Sequence, residues 1–161
     1  FIPFPIIGRN NSTLAAKFGA NENNRFQMTK PNSLWGIHVD EMPNFYMMVG
    51  PQSLNPVTNV TLLCEQQAKY IAELIVGMHE NGYSCVEPRK DAVMEWTNLC
   101  NSSSEGKVWL RCNNWYMKTT KTDAAKDREK GAGMWMDTYE EYLSHVLDGK
   151  AGTQRELLEF S

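Results

Sequence analysis

The order of apolar and polar positions predicts a short strand that runs into a long amphipathic helix. The apolar run Phe45–Val49 ends at Gly50-Pro51, and a helical pattern extends from Thr58 to about His79. An apolar run without polar alternation is typical of a strand buried on both faces. In the helix, apolar residues recur at steps of three and four, so one stripe is expected to face a core. The stripe consists of Val60, Leu63, Cys64, Ala68, Ile71, Leu74, Ile75 and Met78.

The same reasoning predicts further short elements on either side of this unit. They are a helix over Thr13–Phe18, a strand over Leu34–Val39, a helix from about Glu87 with Pro88 in its first turn, a helix over Thr138–Leu147 and a tail over Leu157–Phe160 suited either to a strand or to packing on a neighbour. Short strands followed by long helices indicate the α/β class. We expect residues 1–86 to form one part and residues 87–161 a helical extension with an aromatic and charged loop.

Composition narrows the class of protein. The chain has 161 residues, of which 42% are hydrophobic and 22% charged, as expected for one globular domain. A net charge of -3 gives no reason to expect a nucleic-acid partner. No apolar run approaches the ~20 residues of a membrane helix, and the start at Phe1 lacks the features of a signal peptide. We therefore expect a cytoplasmic protein whose chain begins inside a domain.

Cysteine and histidine positions do not form a metal-binding pattern. No Cys-x-x-Cys pair occurs, so packed, reduced thiols are the better interpretation and no metal site is predicted. The histidines have no partner pattern, and no catalytic residue is assigned. The residues concerned are Cys64, Cys85, Cys100 and Cys112, with His38, His79 and His145.

The junction between Gly50-Pro51 and the helix start is a candidate ligand site. The first N–H groups of a helix have no intrahelical partner, and the helix dipole favours negative charge in front of them. The amides of Asn59 and Val60 are the expected donors, and a glycine lets the backbone pass close to a ligand. In the alternative interpretation, Thr58 only caps the helix and Pro51 only ends a turn.

Several motifs occur in an order and spacing that resembles a known family. They are Ile7-Gly8-Arg9-Asn10-Asn11-Ser12-Thr13-Leu14, Leu34–Val39, Met42–Pro51, Val57-Thr58-Asn59, Glu65-Gln66 and Trp115-Tyr116. Together they resemble the C-terminal part of Baeyer–Villiger monooxygenases, the class B flavoprotein monooxygenases. The resemblance covers about residues 6–117.

This resemblance implies a larger parent protein. Such enzymes have an FAD domain, an NADP domain inserted within it, and a return to the FAD domain. The chain resembles the C-terminal returning segment of that Rossmann-like FAD domain, which is incomplete without upstream sequence. The parent would use FAD, NADPH and O₂ to insert one oxygen atom next to a ketone carbonyl, giving an ester or lactone. The fragment alone would be inactive.

The resemblance also implies roles for individual residues. Those implied to bind cofactors are Gly50, Pro51, Thr58, Asn59, Val60 and Trp115, and those implied to line the substrate pocket are Val57 and Thr58. Trp115 corresponds to a tryptophan that hydrogen-bonds the nicotinamide cofactor, although a core position is an equal alternative. The chain departs from the family after Tyr116, where Met117-Lys118-Thr119 stands in place of Gly-Ala-Asn.

Two other functions remain open at this point. One is a related flavin monooxygenase that oxygenates nitrogen or sulfur. The other is a non-catalytic helical interaction module, which the two amphipathic helices and the missing Gly-x-Gly-x-x-Gly motif favour. A segment separated from its domain is expected to expose apolar surface and to be loose or oligomeric.

Overall fold

The structure, a computed structural model, describes residues 4–20, 31–53, 59–107, 134–147 and 154–161. A short 3-10 helix over Arg9–Asn11 comes first. The remaining elements are α1 (Leu14–Lys17), α2 (Val60–Glu80), β1 (Val86–Pro88), α3 (Lys90–Ser104), α4 (Tyr139–Val146), α5 (Gln154–Leu157) and β2 (Leu158–Phe160). The fold is rich in helices, with two short strands in the described part, as the α/β class allows.

The two strands bring the end of the chain back to its middle. β1 and β2 pair antiparallel, with Val86 opposite Phe160 and Pro88 opposite Leu158. The carbonyl of Ser161 extends the pairing by accepting the amides of Ser84 and Cys85, each at 2.8 Å. Of the two alternatives for the tail, the structure shows the strand.

The helix predicted from about Glu87 begins later, at Lys90. Its predicted first-turn proline, Pro88, lies in β1 instead. The prediction was wrong there because the backbone of β1 is hydrogen-bonded to β2 and remains extended until Arg89, the N-cap (φ -64°, ψ 142°).

The strands predicted over Leu34–Val39 and Phe45–Val49 are wrong. The first segment is a tight turn, in which the amide of Leu34 donates to the carbonyl of His38 at 2.8 Å. Trp35 has a φ of +58°, in the left-handed region that reverses the chain. The second segment is only half-buried, and Val49 has a φ of +52°.

The long helix α2 is confirmed, with changed bounds and a changed buried face. It starts at Val60 rather than Thr58 and ends at Glu80, followed by Asn81 as C-cap. Val60 and Ile75, predicted to face the core, are 46% and 49% exposed. The buried positions are Leu63, Gln67, Tyr70, Leu74 and Met78.

One hydrophobic core cluster contains residues from both predicted parts of the chain, 1–86 and 87–161. The indole rings of Trp96 and Trp135 stack with centroids 5.1 Å apart, and Trp35 and Tyr142 belong to the same buried cluster. Helix α4 docks there, and Thr138 forms a capping box with Glu141, so the helix predicted at this position is confirmed. The boundary predicted after residue 86 stays a prediction.

Candidate functional site

The segment Val49–Ser53, here called the Gly50 loop, packs against the tight turn around Gly36. The amide of Gly50 donates to the carbonyl of Gly36 at 3.0 Å. A Cβ atom on Gly50 would lie 2.6 Å from that carbonyl oxygen. Because Gly50 has no side chain, the Gly50 loop can lie this close to the turn around Gly36. Contact of Gly50 and Pro51 with a flavin stays a prediction.

The start of α2 is capped by Asn59. Its side-chain Oδ1 accepts the backbone amides of Thr61 and Leu62 at 3.0 and 3.3 Å. Its carbonyl oxygen accepts the amide of Leu63 at 3.1 Å. The cap satisfies the second and third helical amides, which is the usual work of an N-cap side chain.

The cap leaves the two leading amides for other partners. Neither the N–H of Asn59 nor that of Val60 has a hydrogen-bond partner among the described residues. Both residues are exposed, Val60 to 46%. The start of α2 therefore carries two amides without a described partner, with the positive end of the helix dipole behind them. These are the amides predicted to face a negative ligand, and their contact with one stays a prediction.

A buried glutamine joins the Gly50 loop to α2. Gln67 Oε1 accepts the amide of Val49 at 2.8 Å. Its Nε2 lies 2.8 Å from the Tyr142 hydroxyl and 3.2 Å from Ser53 Oγ. The apolar pattern of the sequence did not reveal Gln67, because a polar residue does not contribute to that pattern. A polar residue four positions after Leu63, on the buried stripe, was the available signal.

The far side of the Gly50 loop is tied to α3. The backbone carbonyl of Gln52 accepts the indole N–H of Trp96 at 3.0 Å, and its side-chain Nε2 donates to Thr97 Oγ1 at 3.0 Å. Its side-chain oxygen accepts the amide of Ser33 at 2.8 Å. The loop is thus fixed between α2, α3 and the turn preceding Gly36.

Titratable groups beneath this region are buried and uncharged near neutral pH. His38 Nε2 lies 2.8 Å from the Tyr70 hydroxyl, and burial lowers the pKa of His38 to about 3. Burial likewise raises the pKa of Tyr142 to about 12. These groups stabilise the fold through hydrogen bonds and do not exchange protons near pH 7.

Several predicted residues lie outside the described part of the chain. They are Val57, Thr58, Trp115 and the fourth cysteine, Cys112. Of the predicted thiols, Cys64, Cys85 and Cys100 are free, and Cys100 is fully buried. Among the described residues, no three potential metal ligands come together. No described helix has both the length and the apolar character needed to cross a bilayer.

Relatives with known names match about half of the sequence. The chain is 31% identical over 85 residues to cyclohexanone 1,2-monooxygenase of Acinetobacter sp, across 53% of the chain. The same values hold for a Baeyer-Villiger monooxygenase of Pseudooceanicola batsensis. The chain spans only 15% of the length of each. No family model matches the sequence.

A solved structure matches nearly the whole fold. The protein named OTEMO, in complex with FAD and NADP, superposes with a TM-score of 0.77 over 97% of this chain and 26% of its own, at 22% identity. The similarity inferred from the sequence motifs is therefore confirmed. The chain is similar in sequence to these named monooxygenases over about half of its length, and it has the fold of the matching part of OTEMO.

Proposed function

We propose that the chain is the C-terminal part of the FAD domain of an FAD- and NADPH-dependent Baeyer–Villiger monooxygenase. The parent enzyme inserts one oxygen atom of O₂ next to a ketone carbonyl and yields an ester or lactone. The observation that carries this proposal is the exposed start of α2, where two amides without a described partner follow the Gly50 loop. Similarity to named monooxygenases supports this function over an interaction module.

The donor set fits a flavin. The flavin supplies the redox chemistry and the activation of O₂, and it carries negative charge at its pyrimidine edge when reduced. The amides of Asn59 and Val60 would donate to that edge. Because Asn59 Oδ1 already holds the next two amides, the helix start is ordered before the cofactor arrives. Donors fixed in advance require little reorganisation when charge develops.

Other residues complete the proposed site. Gly50 and Pro51 would form its wall beside the flavin, and Val57 and Thr58 would line the side that faces the ketone. Trp115 would donate its indole N–H to the nicotinamide cofactor. None of these residues is proposed to transfer a proton, so their work is to bind, orient and exclude water.

The proposed main partner of the chain is the upstream part of the same enzyme. Helix α2 exposes apolar side chains on the face away from the core, Ile75 to 49% and Val76 to 54%. An exposed apolar patch of this kind marks a surface that another element covers. We propose that the remainder of the FAD domain packs there, and that the parent works in the cytoplasm without nucleic acid.

Expression of the full-length protein tests the proposal. It should bind FAD with the yellow absorbance of a flavoprotein, and a cyclic ketone should raise its NADPH-dependent O₂ uptake with formation of a lactone. An amine or thioether oxygenated in preference to any ketone would favour the nitrogen- or sulfur-oxygenating alternative. A full-length protein that binds no flavin would refute the proposal.

A further inference from the structure

The backbone conformation of Val49 must be stabilised by contacts with other residues. Its φ of +52° lies in the left-handed region, which is unfavourable for a β-branched side chain. Its side chain is 38% exposed, and that of the neighbouring Met48 is 46% exposed. Side-chain packing therefore contributes little to the conformation of Met48 and Val49, so hydrogen bonds to the backbone must stabilise it.

Gln67, on α2, provides hydrogen bonds that stabilise the conformation of Val49. Its side chain has no exposed surface, and its amide group reaches both ends of the Gly50 loop, the Val49 amide with Oε1 and Ser53 Oγ with Nε2. The remaining Nε2 hydrogen points to Tyr142, whose hydroxyl in turn donates to the carbonyl of Trp35 at 2.6 Å. Each hydrogen bond restricts the rotation of the amide group, so its orientation is fixed.

We propose that Gln67 is a positioning residue that fixes the Gly50 loop relative to the leading amides of α2. Gln67 lies on the same helix as Val60, two turns after the helix start. A loop that moves away from Gln67 therefore also moves relative to Val60, which changes the space between Gly50-Pro51 and the amide of Val60. This inference rests on the proposed function, since the flavin is the ligand that would sense that space. Gln67 itself need not touch the cofactor.

The test replaces the amide group in the full-length protein. Gln67→Met has similar volume but neither donor nor acceptor for these partners. Hydrogen exchange of the Val49 amide, measured by mass spectrometry with peptide fragmentation, should become about tenfold faster. The FAD dissociation constant, followed by flavin fluorescence, should rise about tenfold, with a shift of the visible flavin band.

A matched control lies one turn further along α2. Tyr70→Phe also removes a buried hydrogen bond, to His38, but Tyr70 makes no hydrogen bond to the Gly50 loop. We expect the exchange of the Val49 amide and the FAD dissociation constant to stay within about twofold of the original protein. Equal effects of the two variants would reduce Gln67 to a general core contact and overturn the proposal.

A rescue variant separates positioning from plain stability. Val49→Gly removes the conformational penalty at position 49, because glycine adopts positive φ freely. Added to Gln67→Met, it should restore at least half of the lost FAD affinity on a logarithmic scale. Failure of the rescue, or faster exchange at Val49 with unchanged FAD affinity, would contradict the proposal. If the original protein binds no FAD, the proposed function fails, while the exchange data still decide whether Gln67 holds the loop.

Discussion

The amide of Gly50 donates a 3.0 Å hydrogen bond to the carbonyl of Gly36, and neither residue has room for a Cβ atom. On Gly36, a Cβ would lie 2.5 Å from the Cβ of Ser53, and the φ of +72° is itself unfavourable for a side chain. The two segments can approach this closely only because both residues are glycines. This contact holds the Gly50 loop against the turn around Gly36, beside the hydrogen bonds that join the loop to α2 and α3.

Gly36→Ala should therefore destabilise the protein. The added methyl group must displace backbone or β-carbon atoms of the Gly50 loop, and the left-handed conformation adds strain. We expect the free energy of unfolding to fall by about 2–3 kcal/mol, measured by urea denaturation. The matched control is Gly77→Ala in α2, where nothing lies within 4 Å of the new Cβ. That variant should be more stable by about 0.5–1 kcal/mol, and equal destabilisation by both would contradict the account.

Two substitutions at Asn59 distinguish its effect on helix stability from its proposed effect on cofactor binding. Asn59→Ala removes the acceptor of the Thr61 and Leu62 amides and should cost about 1 kcal/mol of stability. Asn59→Asp keeps the cap and adds a favourable charge at the positive end of the helix dipole. It should retain stability and yet weaken FAD binding, because the carboxylate repels the electron-rich flavin edge. FAD affinity unchanged in Asn59→Asp would argue against a flavin at this helix start.

Burial of neutral His38 predicts acid sensitivity. Its folded pKa of about 3 lies below its ordinary value of 6.5, so between these pH values only the unfolded chain binds the proton. Stability should therefore decrease as pH falls from 6.5, by up to about 1.4 kcal/mol per pH unit. His38→Gln should flatten this slope between pH 6.5 and 5, in urea denaturation at several pH values.

The sequence predicted elements well where a single local signal decides the structure. Apolar spacing at three and four residues located α2 and also the helix predicted over Thr138–Leu147, which the structure shows as α4. It failed over 34–49, where apolar runs suggested strands. There, positive φ at Trp35 and Val49, held by contacts with distant segments, breaks the extended conformation. No local pattern of side chains reports such contacts.

In the candidate site too, features set by local sequence were predictable and features set by distant contacts were not. Local rules for helix starts led to the prediction of donor amides at Asn59 and Val60, whose contact with a ligand stays a prediction. It did not identify Gln67 as the connection to the Gly50 loop, since that role depends on Val49 and Ser53 being brought together in space. Thr58 was expected as the cap in the alternative interpretation, whereas Asn59 takes this role.

The most direct measurement is FAD binding by Val60→Pro in the full-length protein. Val60 is the first helical residue, where proline is tolerated, and Asn59 before it has an extended conformation compatible with a following proline. The variant removes one donor without breaking the helix, whereas Val60→Ala removes the side chain and keeps the amide. We expect the FAD dissociation constant to rise at least tenfold in Val60→Pro and to stay unchanged in Val60→Ala. Equal FAD affinity in both variants would contradict the claim that the leading amides of α2 hold the flavin.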